Sequence, residues 1–556
     1  MQANPEQSPA GSAEPLAFPA PAREAGLAGG VLTSYAIVFL ASGCTLVLEI
    51  IAGRILAPFI GVSLYTWTSI IGVCLAGISV GNFLGGAIAD RLGSRRTLGI
   101  ILLAGGLSSL IILPLVSPEV DVTRVFPRER ALEMTFLSRE FWLVARIVVI
   151  TSVLFLPPTL ILGMVSPVVV KLTLTDLNRA GGVVGKIYAF STLGSIVGTF
   201  LAGFVLISNF GVRSIVLGVG ALLLVMAVMF GDFFRRKASN AVIGGIAAAC
   251  FVIILAFIRD YDAMRSPCYK ETNYYCIKVT DHIVSSERLV KTLVLDHLIH
   301  SYNSLEDPTY LVYGYIKVYA ELSEYIAQTH PDFSSFFLGG GAYTLPRQIE
   351  ALRPNNNIEV AEIDPGVTLT NFERMGLDPR TRIITHNMDA REVVEQKQGK
   401  QKYDLVIGDA FNDLQIPYHL TTLEFTRKIR GMLKDDGMYL VLVIDRLRGG
   451  QFIPAFVKTM QQVFPHVYVT ADGNPWNSPF PNTYVVASSP TQIDFEKLKT
   501  LKGQGTNGQS VTGVMPKADF DAWLAESERL GRAVILTDDF APADNLVAPL
   551  FVERGF

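Results

Sequence analysis

The residues best suited to chemistry in this sequence of 556 residues are acidic side chains that follow short apolar runs in its second half. Glu362, Asp389 and Asp409 each lie at or just after such a run, and Gly339-Gly340-Gly341 follows the first run. Glycines without side chains let backbone amides approach a ligand where a strand turns into a helix. One such carboxylate often caps a helix, but three in successive units predict a binding site.

The spacing of Glu362 indicates the kind of ligand. Glu362 lies 23 residues (362 − 339) after Gly339, near the ~20 residues that place an acid where it accepts hydrogen bonds from ribose hydroxyls. A glycine triplet alone is weak evidence, because tight turns use glycine too. Together the two features predict that this half of the chain binds a nucleoside.

A sheet must hold these residues in place. Apolar runs alternate with helical stretches and predict five strands, at residues 336–338, 358–361, 383–385, 405–407 and 439–444. This alternation is typical of a parallel, doubly wound α/β sheet, which binds ligands beyond the carboxyl ends of its strands. Two β-rich runs precede it, at residues 275–280 and 292–295, and they predict a small β-hairpin module.

The first half of the chain has the composition of a membrane protein. Half of all residues are hydrophobic and only 17% are charged, which is a low charge content for a soluble protein. A span needs about 20 apolar residues. Seven runs approach or exceed this length, at residues 31–52, 63–89, 97–116, 141–165, 183–207, 214–230 and 241–258. The tail before them lacks the basic start of a signal peptide, so we expect it to be disordered.

These patterns predict four segments. They are a disordered tail (1–29), a transmembrane domain of about seven helices (30–259), a small β-rich module (260–330) and a Rossmann-like domain (331–556). The expected partners are a lipid bilayer, as for a multi-pass membrane protein, and a small-molecule substrate. The net charge of −3 gives no reason to expect a nucleic acid. The sequence does not indicate an oligomeric state.

Charge in the loops predicts the orientation of the spans. Three basic loops alternate along the chain and should lie in the cytoplasm together with the N-terminus. The first carries Arg91, Arg95 and Arg96, the second Lys171, Arg179 and Lys186, and the third Arg235, Arg236 and Lys237. An odd seventh span then places the second half outside. A competing loop with Arg124, Arg128, Arg130 and Arg139 weakens this interpretation without cancelling it.

Other features of the first half leave alternatives open. The segment from Gly85 to Arg96 resembles the loop signature of major facilitator transporters. Glu49 lies near the end of the first span with Arg54 close behind. An intramembrane carboxylate is costly enough to suggest a role in transport or substrate access, and an interfacial ion pair with Arg54 is the alternative. The glycine patterns at 194–198 and 198–203 indicate close helix packing.

The cysteines and histidines do not predict a metal site. Cys268 and Cys276 are the only cysteines of the polar half and have no CxxC or Cys/His metal spacing. They form a disulfide if they face an oxidising compartment, and two free thiols fit the sequence equally well. His297 and His300 lack a third ligand. We therefore expect no metal.

The second half, from Glu271 onward, resembles spermidine synthases. Its motifs Gly339-Gly340-Gly341, Glu362-Ile363-Asp364, Asp389-Ala390 and Asp409-Ala-Phe-Asn-Asp resemble the family's GGGDG, EID, GDG and DSxDP. The resemblance implies a class I methyltransferase-type Rossmann-like fold. It also implies that Glu362 holds the ribose, Asp389 holds the adenine amino group, and Asp409 is the catalytic acid/base carboxylate.

The whole chain is similar to bacterial proteins that fuse a facilitator-like membrane region to a spermidine synthase-like domain. Two further segments match that pattern, Pro417-Tyr-His419-Leu-Thr-Thr422 and Thr537-Asp538-Asp539. The sequence does not explain their chemistry, and loop capping is the alternative.

The departures from the family pattern concern the amine. Ala342 stands where the family has the aspartate of GGGDG, which receives the ammonium of the aminopropyl chain. Tyr319-Ala320-Glu321 takes the place of the family's YHE, and Tyr275 takes the place of the glutamine of its YQ pair. Asn412 replaces the second aspartate of DSxDP. The family's LDG corresponds to Leu295-Asp296-His297, and His300 replaces the glutamine that follows it. The adenosine half of the site is thus kept and the amine half is largely dismantled.

The resemblance implies a membrane-bound enzyme that binds S-adenosylmethionine or its decarboxylated form and releases 5'-methylthioadenosine. Asp409 is the expected catalytic residue. The expected cofactor-binding residues are Gly339, Gly340, Gly341, Ala342, Glu362, Ile363, Asp364, Asp389, Ala390 and His300. The departures favour a lyase that forms homoserine lactone from intact S-adenosylmethionine. The alternatives are a true polyamine aminopropyltransferase, an S-adenosylmethionine-dependent methyltransferase, and a transporter or sensor with a nucleoside-binding domain. An outside location conflicts with the cytoplasmic synthesis of such cofactors.

Overall fold

The computed structural model describes residues 30–117, 120, 139–233, 238–284, 288–410, 416–505 and 508–554. The predicted disordered tail, the competing basic residues Arg124, Arg128 and Arg130, the basic cluster 235–237, and Asn412 with Asp413 lie outside these residues.

The first half of the chain folds into long apolar helices. They are α1 (Val31–Ile60), α2 (Leu64–Leu92), α3 (Arg95–Leu115), α4 (Arg139–Gly163), α5 (Val165–Thr173), α6 (Ala180–Leu201), α7 (Val212–Phe230) and α8 (Ala238–Asp260). A π-helical turn, Ala202–Leu206, extends α6. In the described part of the chain, six helical segments are long and apolar enough to cross a membrane. Helix α8 covers the seventh predicted run but is not among those six, so the seventh crossing stays a prediction.

Glycines bring neighbouring spans into close contact. A side chain at Gly194 or Gly198 of α6 would collide with the backbone of Phe39 or Gly43 of α1. Small residues at such crossings let backbones approach and pack tightly in lipid. Helix packing therefore explains the pattern at 194–198, whereas an added side chain at Gly203 would meet no atom of the described residues within 4 Å.

The β-rich module is a four-stranded antiparallel sheet. Its strands, in spatial order, are β1 (Lys270–Glu271), β2 (Cys276–Ile283), β3 (Leu289–Leu295) and β4 (Leu298–Asn303). One side of the module encloses a small apolar cluster that includes Ile277, Leu293 and Ala342. The module thereby packs onto the segment that follows the glycine triplet.

The large domain is built on an eight-stranded mixed sheet. Its strands are β5 (Ser334–Leu338), β6 (Asn357–Ala361), β7 (Ile384–His386), β8 (Tyr403–Gly408), β9 (Leu433–Asp445), β10 (His466–Asp472), β11 (Asn482–Ser489) and β12 (Thr512–Val514), in the order β12-β10-β11-β9-β8-β5-β6-β7. Strands β7, β6, β5, β8 and β9 are parallel. They are the five predicted strands, and the predicted fold class is confirmed. The antiparallel strands β10 to β12 were not predicted.

Helices cover both faces of this sheet. They are α9 (Gly314–Ala327), α10 (Thr344–Leu352), α11 (Pro365–Arg374), α12 (Ala390–Lys397), α13 (Leu423–Met432), α14 (Phe452–Gln461), α15 (Phe495–Thr500), α16 (Lys517–Arg529) and α17 (Ala543–Arg554). Successive residues of a strand point to opposite faces. Tyr439 and Val441 of β9 accordingly join the apolar core beneath α13 and α14, whereas Leu440 and Leu442 join the core beneath α9 and α10.

Candidate active site

The acidic residues identified in the sequence lie together because the parallel strands end in register. Leu338 at the end of β5 pairs with Ala361 of β6 and with Gly408 of β8. The next residues in each strand are therefore Gly339, Glu362 and Asp409. Carboxyl ends of parallel strands form the ligand-binding edge of such a sheet. The structure thus brings the three segments to one edge.

Glu362 is held by the glycine loop. Its Oε2 accepts hydrogen bonds from the amides of Gly340 and Gly341, at 2.9 and 3.3 Å, and its Oε1 accepts from the amide of Asp364 at 2.9 Å. A carboxylate offers about four acceptor positions, so about one remains for a hydroxyl of a ligand. Burial raises the pKa of Glu362 to about 7, and the neighbouring charge of Asp364 adds to the rise, while the three amides oppose it.

The other residues of that motif have structural contacts. Asp364 caps α11 by accepting from the amide of Gly366 at 2.8 Å, and its Oδ2 accepts from the hydroxyl of Thr272 at 2.5 Å. Asp364 is buried, with 1% of its surface exposed, and Ile363 is partly buried beside it. These contacts give Asp364 a structural role beside Glu362.

Asp389 lies beyond the end of β7 and pairs with a histidine. It caps α12 through the amide of Arg391 at 2.8 Å, and its Oδ2 lies 3.0 Å from Nε2 of His419. The hydrogen bond with His419 lowers the pKa of Asp389 more than burial raises it. Ala390 is buried and belongs to the apolar core, so its role is packing.

The two segments that the sequence left unexplained meet beside Asp389. Arg391 donates to both carboxylate oxygens of Asp538, at 2.8 and 2.5 Å, and to the carbonyl oxygen of His419 at 2.9 Å. Thr422 donates to Asp538 at 2.7 Å and also caps α13 through the amide of Phe425. Helix capping is therefore one role of these two segments. Their other contacts hold His419 in position against Asp389.

Asp409 lies between two tyrosines of α9. The hydroxyl of Tyr315 donates to the carbonyl oxygen of His300 at 3.4 Å, and Tyr315 lies close enough to Asp409 to influence its pKa. The hydroxyl of Tyr319 lies 3.4 Å from the carbonyl oxygen of Gly408. Burial raises the pKa of Asp409 to about 7, and the hydrogen bond from Tyr315 opposes this rise. Since Tyr315 lies one helical turn before Tyr319, the helical period was the signal that could have identified it.

Ala342 and Glu321, which belong to the expected amine half of the site, both lie within the described residues. Ala342 is fully buried in the apolar cluster beneath the β-module. Glu321 of α9 is also buried, and its carboxylate accepts five hydrogen bonds from the 504–512 segment. Neither residue offers a free carboxylate to an ammonium group. Because Asn412 is outside the described residues, the departure at that position is not assessed.

His300 lies on β4, close to the glycine loop. Its neighbour Ser301 is the side chain that approaches Gly341. Among the described residues, Nε2 of His300 has no hydrogen-bond partner and is buried, and burial lowers the pKa of His300 to about 4. A neutral imidazole with an unused ring nitrogen is therefore available on this side of the site. In the described ranges, no cluster of three or more His, Cys, Asp or Glu side chains suits a metal ion.

Comparison with known proteins identifies the family. No family model matches the sequence. A polyamine aminopropyltransferase of Vibrio vulnificus is 32% identical over 219 residues, which are 38% of this chain and 67% of that protein. The chain belongs to the polyamine aminopropyltransferase family. A probable polyamine aminopropyl transferase of Bifidobacterium longum is 26% identical over 227 residues, and the chain spans about half of that relative's length, 48%.

Solved structures resemble part of the chain as well. A probable spermidine synthase of Corynebacterium glutamicum has a TM-score of 0.40 at 21% identity, with 47% of this chain and 93% of that chain covered. A human methyltransferase-like protein 13 in complex with SAH has a TM-score of 0.28 at 16% identity, with 42% of this chain and 100% of that chain covered. Each of these four similarities therefore covers less than half of this chain.

Proposed function

We propose that this chain is a membrane-bound enzyme that binds an S-adenosylmethionine-type sulfonium and cleaves its aminoalkyl chain from sulfur, with release of 5'-methylthioadenosine. The observation that carries the proposal is the position of Asp409. Its carboxylate follows Gly408, which pairs with Leu338, so it lies at the same strand edge as Glu362, which accepts from the amides of Gly340 and Gly341. A nucleoside bound by Glu362 and Asp389 would present its sulfonium chain toward Asp409.

The arrangement favours intact S-adenosylmethionine over its decarboxylated form. An aspartate in the position of Ala342 would attract the ammonium of a decarboxylated chain and repel the carboxylate of an intact one. Ala342 removes both effects, and its burial in an apolar cluster leaves no polar group there. Glu321 is committed to the 504–512 segment. A polyamine would therefore find few charged partners.

The reaction that needs no second substrate is an internal displacement. A carboxylate oxygen of the bound chain attacks the carbon attached to sulfur, the carbon–sulfur bond breaks, and its electron pair returns to sulfur. The products are neutral 5'-methylthioadenosine and homoserine lactone, which keeps its ammonium, so atoms and charge balance. Internal attack benefits from a high effective concentration. Asp409 would orient the ammonium group of the chain and stabilise the sulfonium in the attacking conformation.

Aminopropyl transfer to a polyamine is the second candidate, and the named activities of the relatives favour it. In that reaction Asp409 would accept a proton from the attacking amine. A pKa raised to about 7 suits a general base at neutral pH.

The test uses the full chain purified in detergent, with S-adenosylmethionine or its decarboxylated analogue, each with and without putrescine, followed by mass spectrometry. Homoserine lactone and methylthioadenosine from the intact compound alone support the lyase. A polyamine formed preferentially from the decarboxylated compound supports aminopropyl transfer and excludes the lyase. Adenosylhomocysteine would indicate methyl transfer, and tight binding without any product would indicate a sensor or transporter.

A matched pair of variants separates chemistry from folding. Asp409→Asn should abolish product formation. Asp404→Asn alters a buried aspartate at the other end of the same strand, where it pairs with Lys434 at 2.8 Å, and should leave the product unchanged. Equal activity of Asp409→Asn and the parent would remove Asp409 from the mechanism.

A further inference from the structure

The first membrane helix reaches the wall of the candidate active site. Arg54 of α1 donates through one guanidinium nitrogen to the carbonyl oxygen of Thr272, and through another to that of Asn273 at 3.3 Å. These carbonyls belong to the loop between β1 and β2, in the soluble half. A planar guanidinium that binds two successive carbonyl oxygens restricts the position of the loop more than a single hydrogen bond would.

The same loop contacts the ribose motif. The hydroxyl of Thr272 donates to Oδ2 of Asp364 at 2.5 Å and accepts from the amide of Tyr275 at 2.9 Å. The methyl group of Thr272 packs on Gly366, where any side chain would collide with it. Tyr275 in turn lies near Glu362: burial raises the pKa of Tyr275, and the charge of Glu362 adds to the rise. A chain of contacts therefore runs from Arg54 through Thr272 to Asp364 and Glu362.

We propose that Arg54 is a positioning residue of the nucleoside site, so that a membrane helix completes the binding site of the soluble half. The inference rests on the proposed function, because it assigns Glu362 to the ribose. Arg54 fixes Thr272, Thr272 fixes Asp364, and Asp364 donates its amide to Glu362. Without Arg54 the loop loses two hydrogen bonds, and the Glu362 carboxylate loses part of its orientation.

Arg213 provides a matched control at the same junction. It lies at the start of α7 and donates to the carbonyl oxygens of Ala263 and Val116. Both arginines thus join the membrane half to neighbouring backbone, but within the described residues the hydrogen bonds of Arg213 go to Ala263 and Val116, and only its neighbour Val212 binds Glu271, the residue before Thr272. Loss of Arg213 should weaken the junction without disturbing Glu362.

The test measures the affinity of the full chain in detergent for methylthioadenosine by calorimetry. Arg54→Gln should weaken binding by about tenfold or more, because bonds from a charged donor are lost, while Arg54→Lys should restore part of the affinity. Thr272→Val should weaken binding as well. Since both side chains act through one path, the double variant should bind no more weakly than Arg54→Gln alone.

Turnover gives a second readout, because Arg54→Gln should raise KM and leave kcat nearly unchanged. Arg213→Gln should lower the melting temperature and keep the parent's affinity. Parent-like affinity of Arg54→Gln, or equal losses in Arg54→Gln and Arg213→Gln, would overturn the proposal. Glu362→Ala separates a failure of the role of Arg54 from a failure of the proposed function. If Glu362→Ala also binds like the parent, the assignment of Glu362 to the nucleoside fails.

A second inference, carried by different observations, concerns the side of the membrane. The soluble half contacts the end of α1 at Arg54 and the beginning of α7 at Arg213. Five described basic residues lie at the opposite helix ends, namely Arg91 near the end of α2, Arg95 and Arg96 at the start of α3, Lys171 near the end of α5, and Arg179 before α6, whereas Arg139 of the competing loop begins α4 on the side of the soluble half. Basic loops mark the cytoplasmic side.

The state of the cysteines also indicates the side on which the soluble half lies. Cys268 and Cys276 form a disulfide in the soluble half. The three free cysteines, Cys44, Cys74 and Cys250, lie in helices of the membrane half. Disulfides persist in oxidising compartments and are rare in the cytosol. Two independent features therefore place the soluble half on the same side.

We infer that the soluble half faces the extracytoplasmic, oxidising side, with α8 returning the chain across the membrane. The nucleoside site, if the proposed function holds, then faces that side as well.

Reporter fusions after Phe556 test the side directly. An alkaline phosphatase fusion should be active and a fluorescent-protein fusion dark in the same cells. Fluorescence without phosphatase activity would overturn the inference. A variant with Cys44→Ser, Cys74→Ser and Cys250→Ser isolates the disulfide pair: after denaturation it should react with maleimide only when first reduced. Reaction without reduction would remove the disulfide from the argument and count against the oxidising side.

Discussion

Nε2 of His419 lies 3.0 Å from Oδ2 of Asp389, and this pair connects the residue expected to hold adenine with a segment whose role the sequence does not explain. A carboxylate only accepts hydrogen bonds, so the imidazole donates. The bidentate contact between Arg391 and Asp538 holds the histidine in place through its carbonyl oxygen. His419 therefore sets both the charge and the orientation of Asp389.

Loss of this histidine should make nucleoside binding more sensitive to acid. In His419→Ala the pKa of Asp389 should rise toward its ordinary value, because the hydrogen bond that lowers it most is gone. As pH falls from about 6 to below the ordinary aspartate pKa of about 4, the variant should therefore lose affinity for methylthioadenosine at a higher pH than the parent. Calorimetry across this range tests the shift. Identical pH profiles would show that His419 does not hold Asp389 ionised.

Glu362→Ala and Asp389→Ala should each abolish measurable cofactor binding. Each change leaves ribose hydroxyls or the adenine amine without an acceptor, at about 1 to 3 kcal/mol per lost partner. Glu359→Gln is the matched control. Glu359 lies on β6, the strand that leads to Glu362, but its contacts are with Lys397, His386 and Tyr403. The control should lose stability and keep its affinity, and unchanged affinity in both alanine variants would contradict the nucleoside assignment.

The buried carboxylates predict how stability depends on pH. Burial raises the pKa values of Glu362 and Asp409 to about 7, above the ~4 of an unfolded chain. Between these values the folded state binds more protons than the unfolded state, so stability falls as pH rises toward 7. Denaturant unfolding of the soluble half at several pH values should show this slope. Glu362→Gln and Asp409→Asn should each flatten it, and an unchanged slope in both variants would mean that other groups cause the pH dependence.

The sequence predicted the parallel part of the sheet because its strands are short apolar runs that end in acids or glycine. The antiparallel strands β10 to β12 have less regular patterns, and His466–Asp472 in particular mixes polar with apolar residues. These segments form strands because they pair with other strands, β10 with β11 and β11 with β9. Such pairing is a property of the folded chain. Local pattern alone does not contain that information.

The candidate site was predictable where one residue type at a strand end defines the chemistry, as for Glu362, Asp389 and Asp409. It was not predictable where distant segments meet. Arg54 and Thr272 are 218 residues apart, and Arg391 and Asp538 are 147 apart. An ion pair between Glu49 and Arg54 was one of two alternatives that the sequence left open, and the hydrogen bonds of Arg54 instead reach backbone carbonyls of the soluble half. Pairings of this kind depend on the folded arrangement rather than on spacing.

Glu321 provides the last prediction, because its position in the family pattern suggests an amine contact whereas its hydrogen bonds indicate a structural role. Its Oε1 accepts from the amides of Gln504 and Val511, at 2.8 and 2.9 Å. Its Oε2 accepts from the hydroxyl of Ser510 at 2.6 Å and from the amide and hydroxyl of Thr512, at 3.0 and 2.6 Å. All five donors belong to the segment that leads into β12.

Glu321→Gln should therefore destabilise the soluble half, by on the order of 3 kcal/mol, because an amide NH₂ would face donors in a buried position. The product pattern and the KM for any amine acceptor should not change. The matched control is Glu324→Gln on the same helix, where Glu324 pairs with Arg353 at 2.7 Å in a partly exposed position. Such pairs contribute about 1 kcal/mol or less. Denaturant unfolding and acceptor kinetics on both variants separate the two roles: a stable Glu321→Gln protein with a raised KM for putrescine would restore Glu321 as an amine-binding residue and with it ordinary aminopropyl transfer.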